Sequence, residues 1–448
     1  MSEQSFLMDR ATRFGIMCAL VVLMFVPLIF IALIIEERAG LQQETLREIA
    51  DQWGGQQMLA GPVLIVPVER EVVEETREGD EVTRTTRTEN APPLIVTPRS
   101  LAIDGVLRSE LRARGIFEVP VYSTDLTLAF GFDLDDFRRE LGESERLDWP
   151  SARIELHLTK TRGLRSAVEM MAGEEALAVE PGSMLPRKSG VHAPVAQNMA
   201  LNDMTLVFTL NGARDLEFAP VGRQTDIALS GDWPHPSFDG AFLPDEREVS
   251  DSGFTASWSI PHLARDLPQM VRGVSAFNEI NASRFGLSLY NPVGFYQKVG
   301  RAARYGILFI ALTFLTIFLT EGMSKRPVHP AQYLLIGVAQ CVFFLLLLSF
   351  AEQIGFTPAY MLASLATIAL LAFYAVAALR LGKRAGLLIG VLVLLYATLF
   401  LILQSTEYAL LAGSILAFLA VAVTMVLTRN EVWFPQKTDA GGAVKSGA

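Results

Sequence analysis

"FGIMCALVVLMFVPLIFIALIIEER", residues 14–38, decides the architecture. From Phe14 to Ile35 the run is apolar and free of charge, and it ends on Glu36-Glu37-Arg38. About 20 such residues cross a bilayer as a helix. A secretory leader has a shorter apolar core followed by a small-residue cleavage site. This run is longer and meets charges instead, so it reads as an uncleaved anchor. Pro27 lies inside it, where a bilayer helix tolerates proline.

Five more apolar runs follow: Tyr305 to Thr320, Tyr333 to Phe350, Thr357 to Leu379, Gly386 to Leu403 and Tyr408 to Leu427. None carries a charge inside it. They account for a hydrophobic share of 51% and a mean hydropathy of +0.33 in a 448-residue chain. Lys325, Arg326 and His329 lie between the second and third runs, and Arg380, Lys383 and Arg384 between the fourth and fifth. The loops "AEQIGFTP" and "QSTEYA" have no Lys or Arg. Basic short loops stay cytoplasmic. Six helices then place both termini in the cytoplasm and the long polar block outside. Arg10 and Arg13 agree with this. Lys298, Arg301 and Arg304 do not, but a long translocated domain overrides its own charges.

The expected organisation is a cytoplasmic N-terminus (1–13), a first span (14–35), an external β-rich domain (36–303), a bundle of helices 2–6 (304–428) and a disordered cytoplasmic tail (429–448). The fold class is a membrane α-helical bundle of six transmembrane helices. A large, mostly antiparallel β domain is inserted between helices 1 and 2. Both cysteines, Cys18 and Cys341, fall in apolar runs, so the external domain needs no disulfide. Residues 36–303 carry about 14 surplus negative charges. That argues against nucleic acid and anionic headgroups as partners of the domain.

Within the block, Leu46, Ile49 and Trp53 recur at helical spacing before Gly54-Gly55, which reads as a short amphipathic helix and its stop. The pattern then turns to period two. "GPVLIVPVER" reads as a buried strand, and "VTRTTRT" as an edge or hairpin arm. Asp104-Gly105 and Asn211-Gly212 sit between alternating segments and read as tight turns. "DDFRREL" and Leu263 to Val274 are the helical exceptions.

"DWPHPSFDGAFLPDEREVSDSGFTASW", residues 232–258, is too polar and too punctuated for a helix. Each proline pushes its predecessor to extended backbone, so Trp233-Pro234-His235-Pro236 is a stiff connector. Trp233, Phe238, Phe242 and Trp258 are expected to plug the sandwich edge. A recognition surface and a catalytic loop are the competing readings. His235 has Asp232, Ser237 and Asp239 near it in sequence, but the flanking prolines keep it from folding back on them. G-x-S-x-G, H-E-x-x-H and a Walker loop are absent. His157, His192 and His262 are scattered singly, without metal spacing. The residues therefore argue for no enzyme, no metal and no cofactor.

At "FYQKVGRAARYGILFIALTF" the domain meets the second span. Phe295, Tyr296 and Tyr305 suit the headgroup layer. Lys298, Arg301 and Arg304 follow at three-residue spacing and form one basic face. Their partners are either headgroups and the acids of the domain, which would clamp the domain to the membrane, or solvent.

"DWPHPSF", "FLP", "REVSDSGFTASW", "YQKVGRAARYGILFIALTFL", "HPAQYLLIGVAQCVFFLLLLSFAEQIGF" and "GPVLIVPV" resemble the CreD family of inner-membrane, cell-envelope integrity proteins. The resemblance runs, with gaps, from about Phe14 to about Phe434. Arg304-Tyr305 stands where Lys-Tyr is expected. The resemblance implies a bacterial inner-membrane protein with a periplasmic domain, tied to envelope integrity and wall stress, and it supplies no catalytic residue. Membrane lipids and other envelope proteins are the partners this implies. Four classes remain: a non-enzymatic envelope protein, a six-helix transporter or channel with an accessory domain, an external hydrolase or transferase, and a signalling or sensor protein.

Overall fold

The computed structural model describes residues 10–78, 81–133, 141–184, 189–197, 199–265, 267–273, 283–289, 294–322, 328–379, 382–404 and 409–429. The chain divides into two units. One is Gln43–Pro292; the other joins Met1–Gln42 to Val293–Ala448.

The second unit is helical. Helix α1 is Arg10–Leu23 and α2 is Phe25–Trp53. Pro27 explains the break between them. It has no N–H to give the preceding turn, and Met24 N is shared between Leu20 O and Val21 O, 3.1 Å each. Four more helices are α3 Phe295–Gly322, α4 Pro330–Ile354, α5 Phe356–Ala377 and α6 Ala385–Gln404. With Thr12–Trp53 they make, among the described residues, five helices long and apolar enough to cross a membrane. The last apolar run forms α7, Ala409–Thr428. Helix α3 starts ten residues before Tyr305, so the helix of the second apolar run takes in Lys298, Arg301 and Arg304. Leu365, Phe373 and Leu394 are each about two-thirds exposed on the outside of the helices. Such apolar surface is expected where lipid is the solvent.

The first unit is a mixed β domain of two sheets. In spatial order, one sheet runs Pro236–Gly240, Phe285–Leu289, Asp215–Phe218, Gln57–Glu78, Arg153–Leu158, Gly190–Pro194, Glu180–Pro181, with Glu81–Val96, Glu145–Leu147 and Met270–Arg272 paired off this path. The other runs Glu246–Ser250, Gly253–Pro261, Gln224–Gly231, Ser100–Arg114, Phe117–Gly131, Met204–Ala213, Glu169–Ala172, Glu175–Leu177. Their inner faces share one core, which includes Val63, Leu64, Ile154 and Phe218 from the first and Ile103, Leu128, Phe208 and Trp258 from the second. Most pairings are antiparallel. Two are parallel, Gln57–Glu78 with Asp215–Phe218 and Ser100–Arg114 with Gln224–Gly231.

Helix α2 ends at Trp53, as its spacing implied. Leu46, Ile49 and Trp53 pack on Ala50, Val119, Val121 and Ala213. Beyond Glu71, which still donates its N–H to Ser144 O, the strands Gln57–Glu78 and Glu81–Val96 pair, among the described residues, only with each other. They form a two-stranded arm, in which Val73 is 56% exposed.

Three expectations fail. Asp104-Gly105 is mid-strand; the turn comes at Gly115, at φ 63°. Gly105 is there for room, because a Cβ would lie 2.6 Å from Leu229 Cδ2. Asn211-Gly212 is also mid-strand, pairing with Ser123 and Tyr122. A Cβ on Gly212 would meet the Tyr122 ring, whose hydroxyl donates to Asp215 O at 2.7 Å. Burial, with Asp215 and Glu217 close by, pushes that phenol well above its usual range. The turn follows at Arg214, at φ 67°, where the chain changes sheets. The described residues of Leu263 to Val274 do not form the expected helix. A 3-10 turn, His262–Ala264, is followed by the strand Met270–Arg272, since Pro268 denies a helix its N–H. "DDFRREL" lies outside the described residues but for Leu141, and the tail beyond Arg429 lies wholly outside them.

An acid-labile clamp holds Met270–Arg272 and Glu145–Leu147 to the arm's base. Glu145 takes Arg272 Nη2 and Arg70 Nη2 at 2.6 Å each, and Gly142 N at 3.0 Å. Arg272, Gly142 and Arg70 hold its carboxyl down at about 2. A carboxyl depressed on folding stabilises the fold above its ordinary value near 4.5, and that stabilisation is lost as pH falls towards about 2. The clamp is therefore expected to loosen between those values. Amide protection at Val271 and Arg272, taken relative to the intrinsic exchange rate at each pH, should fall as the pH drops through that window, and in Glu145→Gln it should be low and flat with pH.

Candidate functional site

Alternation along Arg153–Leu158 puts Arg153, Glu155 and His157 on one face of a central strand. Glu155 is fully buried. Its Oε1 takes Met184 N at 2.7 Å and lies 2.8 Å from Arg153 Nε. Its Oε2 accepts from Ser183 Oγ at 2.9 Å and lies 3.4 Å from His157 Nε2. Ser183 Oγ is also 3.5 Å from His157 Nδ1. On the next strand His192 stands opposite Glu155, and beyond it Glu180 stands opposite His192. Two of the histidines that look scattered in sequence thus flank one buried carboxylate. The signal that could have found them is the i, i+2 alternation in "RIELHL".

A serine, a histidine and a glutamate in mutual contact invite a triad reading. The geometry argues otherwise. In a triad the imidazole stands between nucleophile and acid. Here Ser183 gives its proton directly to Glu155, and the carboxylate and hydroxyl sit together against one ring. The cluster is a clasp that fixes Ser183 and Met184 to the central strand. Among the described residues, no group of three or more His, Cys, Asp or Glu is placed to hold a metal ion.

The Trp233 stretch carries the chain from one sheet to the other and back. Gln224–Gly231 belongs to the second sheet, Pro236–Gly240 to the first, and Glu246–Ser250 to the second again. Trp233 Nε1 donates to His235 O at 3.1 Å, which closes the corner on itself. Trp233, Phe238 and Trp258 are buried, Phe242 is partly buried against the same core, and His235 is exposed. Trp258 bridges the sheets, with its ring 5.9 Å from Phe238 and 5.7 Å from Phe285.

Helices α3 and α4 meet through three polar contacts. Tyr296 donates to Glu352 at 2.8 Å, Gln340 Nε2 to Thr313 at 2.8 Å, and Tyr333 to Glu321 at 3.1 Å, where Arg13 also pairs with Glu321 at 2.8 Å. Tyr296 is buried within the helical unit. Lys298 Nζ lies 5.3 Å over the Phe356 ring. Lys298 and Arg301 are half-buried, and only Arg304 of that face is exposed.

The family model described as "Inner membrane protein CreD" matches residues 10–434. The chain belongs to the CreD family. Inner membrane protein CreD of Escherichia coli strain K12 is 34% identical to it over 421 residues, covering 92% of this chain and 91% of that one. The CreD assignment thus rests on both the spans and the β domain. Among solved structures, an M1 zinc metallopeptidase from Deinococcus radiodurans with a bound Tyr-Ser-Ala substrate aligns at 12% identity, over 73% of this chain and 95% of that one. Its TM-score is 0.22, too low to carry any argument about this CreD-family chain.

Proposed function

We propose that this CreD-family protein supports cell-envelope integrity and the response to wall stress through non-enzymatic contacts of its β domain. The observation that carries this reading is the clasp. Ser183, held against a histidine and an acid, donates its hydrogen bond to that acid, so it holds a loop rather than attacking a substrate. The two-stranded arm beyond Glu71 agrees, since a projecting ribbon with open edges offers backbone groups to a partner. In this reading six helices span the inner membrane, both termini are cytoplasmic, and residues 36–303 lie in the periplasm with other envelope proteins as partners. The basic short loops support that placement.

Photo-crosslinking residues placed at Val73 and Thr86 on the arm test it in intact cells. A discrete crosslinked envelope protein or wall polymer is expected. Complementing variants that trap no macromolecule would sink the reading.

A six-helix transporter or channel with an accessory domain is the second reading. It draws on Gln340, which is buried and whose Oε1 has no donor among the described residues. Buried polar groups within a membrane often mark a pathway. If Gln340→Leu abolishes complementation while the protein accumulates normally, that reading gains.

A further inference from the structure

We propose that the β domain carries an anion site built on Trp53, Arg112 and Arg165, and that its ligand is a phosphate group. The indole is fixed first. Its Nε1 donates to Tyr122 O at 3.1 Å, and its ring packs on the small cluster of Ala50, Val119, Val121 and Ala213. Two guanidinium groups then lie over that one ring, Arg112 Cζ at 4.4 Å and Arg165 Cζ at 5.3 Å from its centroid. The two carbons are therefore no more than about 10 Å apart. The indole face offsets part of their repulsion.

Their backbones are held as well. Arg112 pairs with Val119 in its ladder, and Arg165 N donates to Thr209 O at 3.0 Å. Both side chains are exposed. Arg112 pairs with Glu110 at 2.9 Å. Among the described residues, Arg165 has no carboxylate within ion-pair distance. Lys160 and Arg114 nearby are taken by Asp51 at 2.5 Å and Glu48 at 2.6 Å. Arg162 lies in the 3-10 turn Thr161–Gly163, which abuts Gly54. A local positive surplus thus sits on a domain that is acidic as a whole. The net charge argued against anionic partners, and at this spot the distribution reverses it.

Phosphate is the anion that uses both forks. A carboxylate fills one guanidinium fork with its two oxygens. A phosphate has enough oxygens to accept from two forks at once, at about 2.7–2.9 Å per contact. The group could come from a lipid headgroup or from soluble phosphate. What the site serves rests on the interaction reading above; whether it binds does not.

The test uses the full chain in phosphatidylcholine nanodiscs at low ionic strength. One arm titrates inorganic phosphate by calorimetry. The other floats the discs with phosphatidylglycerol vesicles. Wild type should bind in at least one arm, and the arm that saturates names the source. Arg165→Gln and Arg112→Gln should each weaken binding about tenfold, the usual effect of losing one charged hydrogen-bonding group. The double variant should abolish it. Arg165→Lys, which keeps charge and loses the fork, should fall between. Arg247→Gln, on the edge strand Glu246–Ser250, should bind as wild type. Binding by neither probe, or a double variant that binds like wild type, overturns the site. That failure would leave the arm-crosslinking result untouched.

Discussion

Glu155→Ala is expected to destabilise the β domain by about 3–5 kcal/mol, the range for removing one partner of a buried ion pair. The carboxylate receives Arg153, Met184 N, Ser183 and His157 in the core of a sheet. Alanine leaves the Met184 N–H and the Ser183 hydroxyl without their acceptor and removes the charge opposite Arg153. The part-buried Met184 N–H and Arg153 guanidinium then lose the buried carboxylate that compensates them. Glu155→Gln should cost less, since an amide oxygen still accepts from Met184 N. Thermal unfolding of the purified chain, read by tryptophan fluorescence, checks the order: alanine lowest, glutamine between, wild type highest. Equal midpoints for alanine and wild type would show that the clasp holds nothing.

Trp258→Ala should cost a similar amount, about 3–5 kcal/mol, as for other buried aromatics. Trp258 is 2% exposed and, from the second sheet, packs on Phe238 and Phe285 of the first. Removing it opens a cavity between sheets that no neighbour can collapse into, because Phe238 and Phe285 are pinned in a ladder. Its Nε1 also donates to Phe242 O, a bond that holds the far side of the corner. His235→Ala is the matched control. The imidazole is exposed, and the bond Trp233 makes is to the His235 carbonyl, which alanine keeps. That variant should unfold and complement as wild type. Lost complementation with normal accumulation would return the stretch to a functional surface.

What was legible in the sequence follows the range of the forces involved. The apolar runs were readable because a span must satisfy its backbone within itself, so the signal is local. The helix ending at Trp53 was readable for the same reason. Asp104-Gly105 and Asn211-Gly212 misled because a glycine has two uses. It admits positive φ in a turn, and it also admits a neighbour's side chain in a sheet. Leu229 over Gly105 and Tyr122 over Gly212 are contacts across strands, invisible to spacing. The Glu155 clasp was missed for a related reason. Ser183 is 28 residues from Glu155, and His192 comes to stand opposite it only through strand order. Trp53 with two arginines is assembled the same way, from a helix end, a hairpin and a turn.

The arrangement of a β domain outside the membrane and basic loops inside is the claim on which the rest depends. Single cysteines at Ser109, in the β domain, and at Gly382, between α5 and α6, test it in intact cells with a membrane-impermeant thiol reagent. Cys18 and Cys341 are first replaced by serine or alanine. The account predicts that Ser109→Cys labels from outside and that Gly382→Cys labels only after the membrane is opened. Labelling of Gly382→Cys from outside, with Ser109→Cys protected, would contradict it.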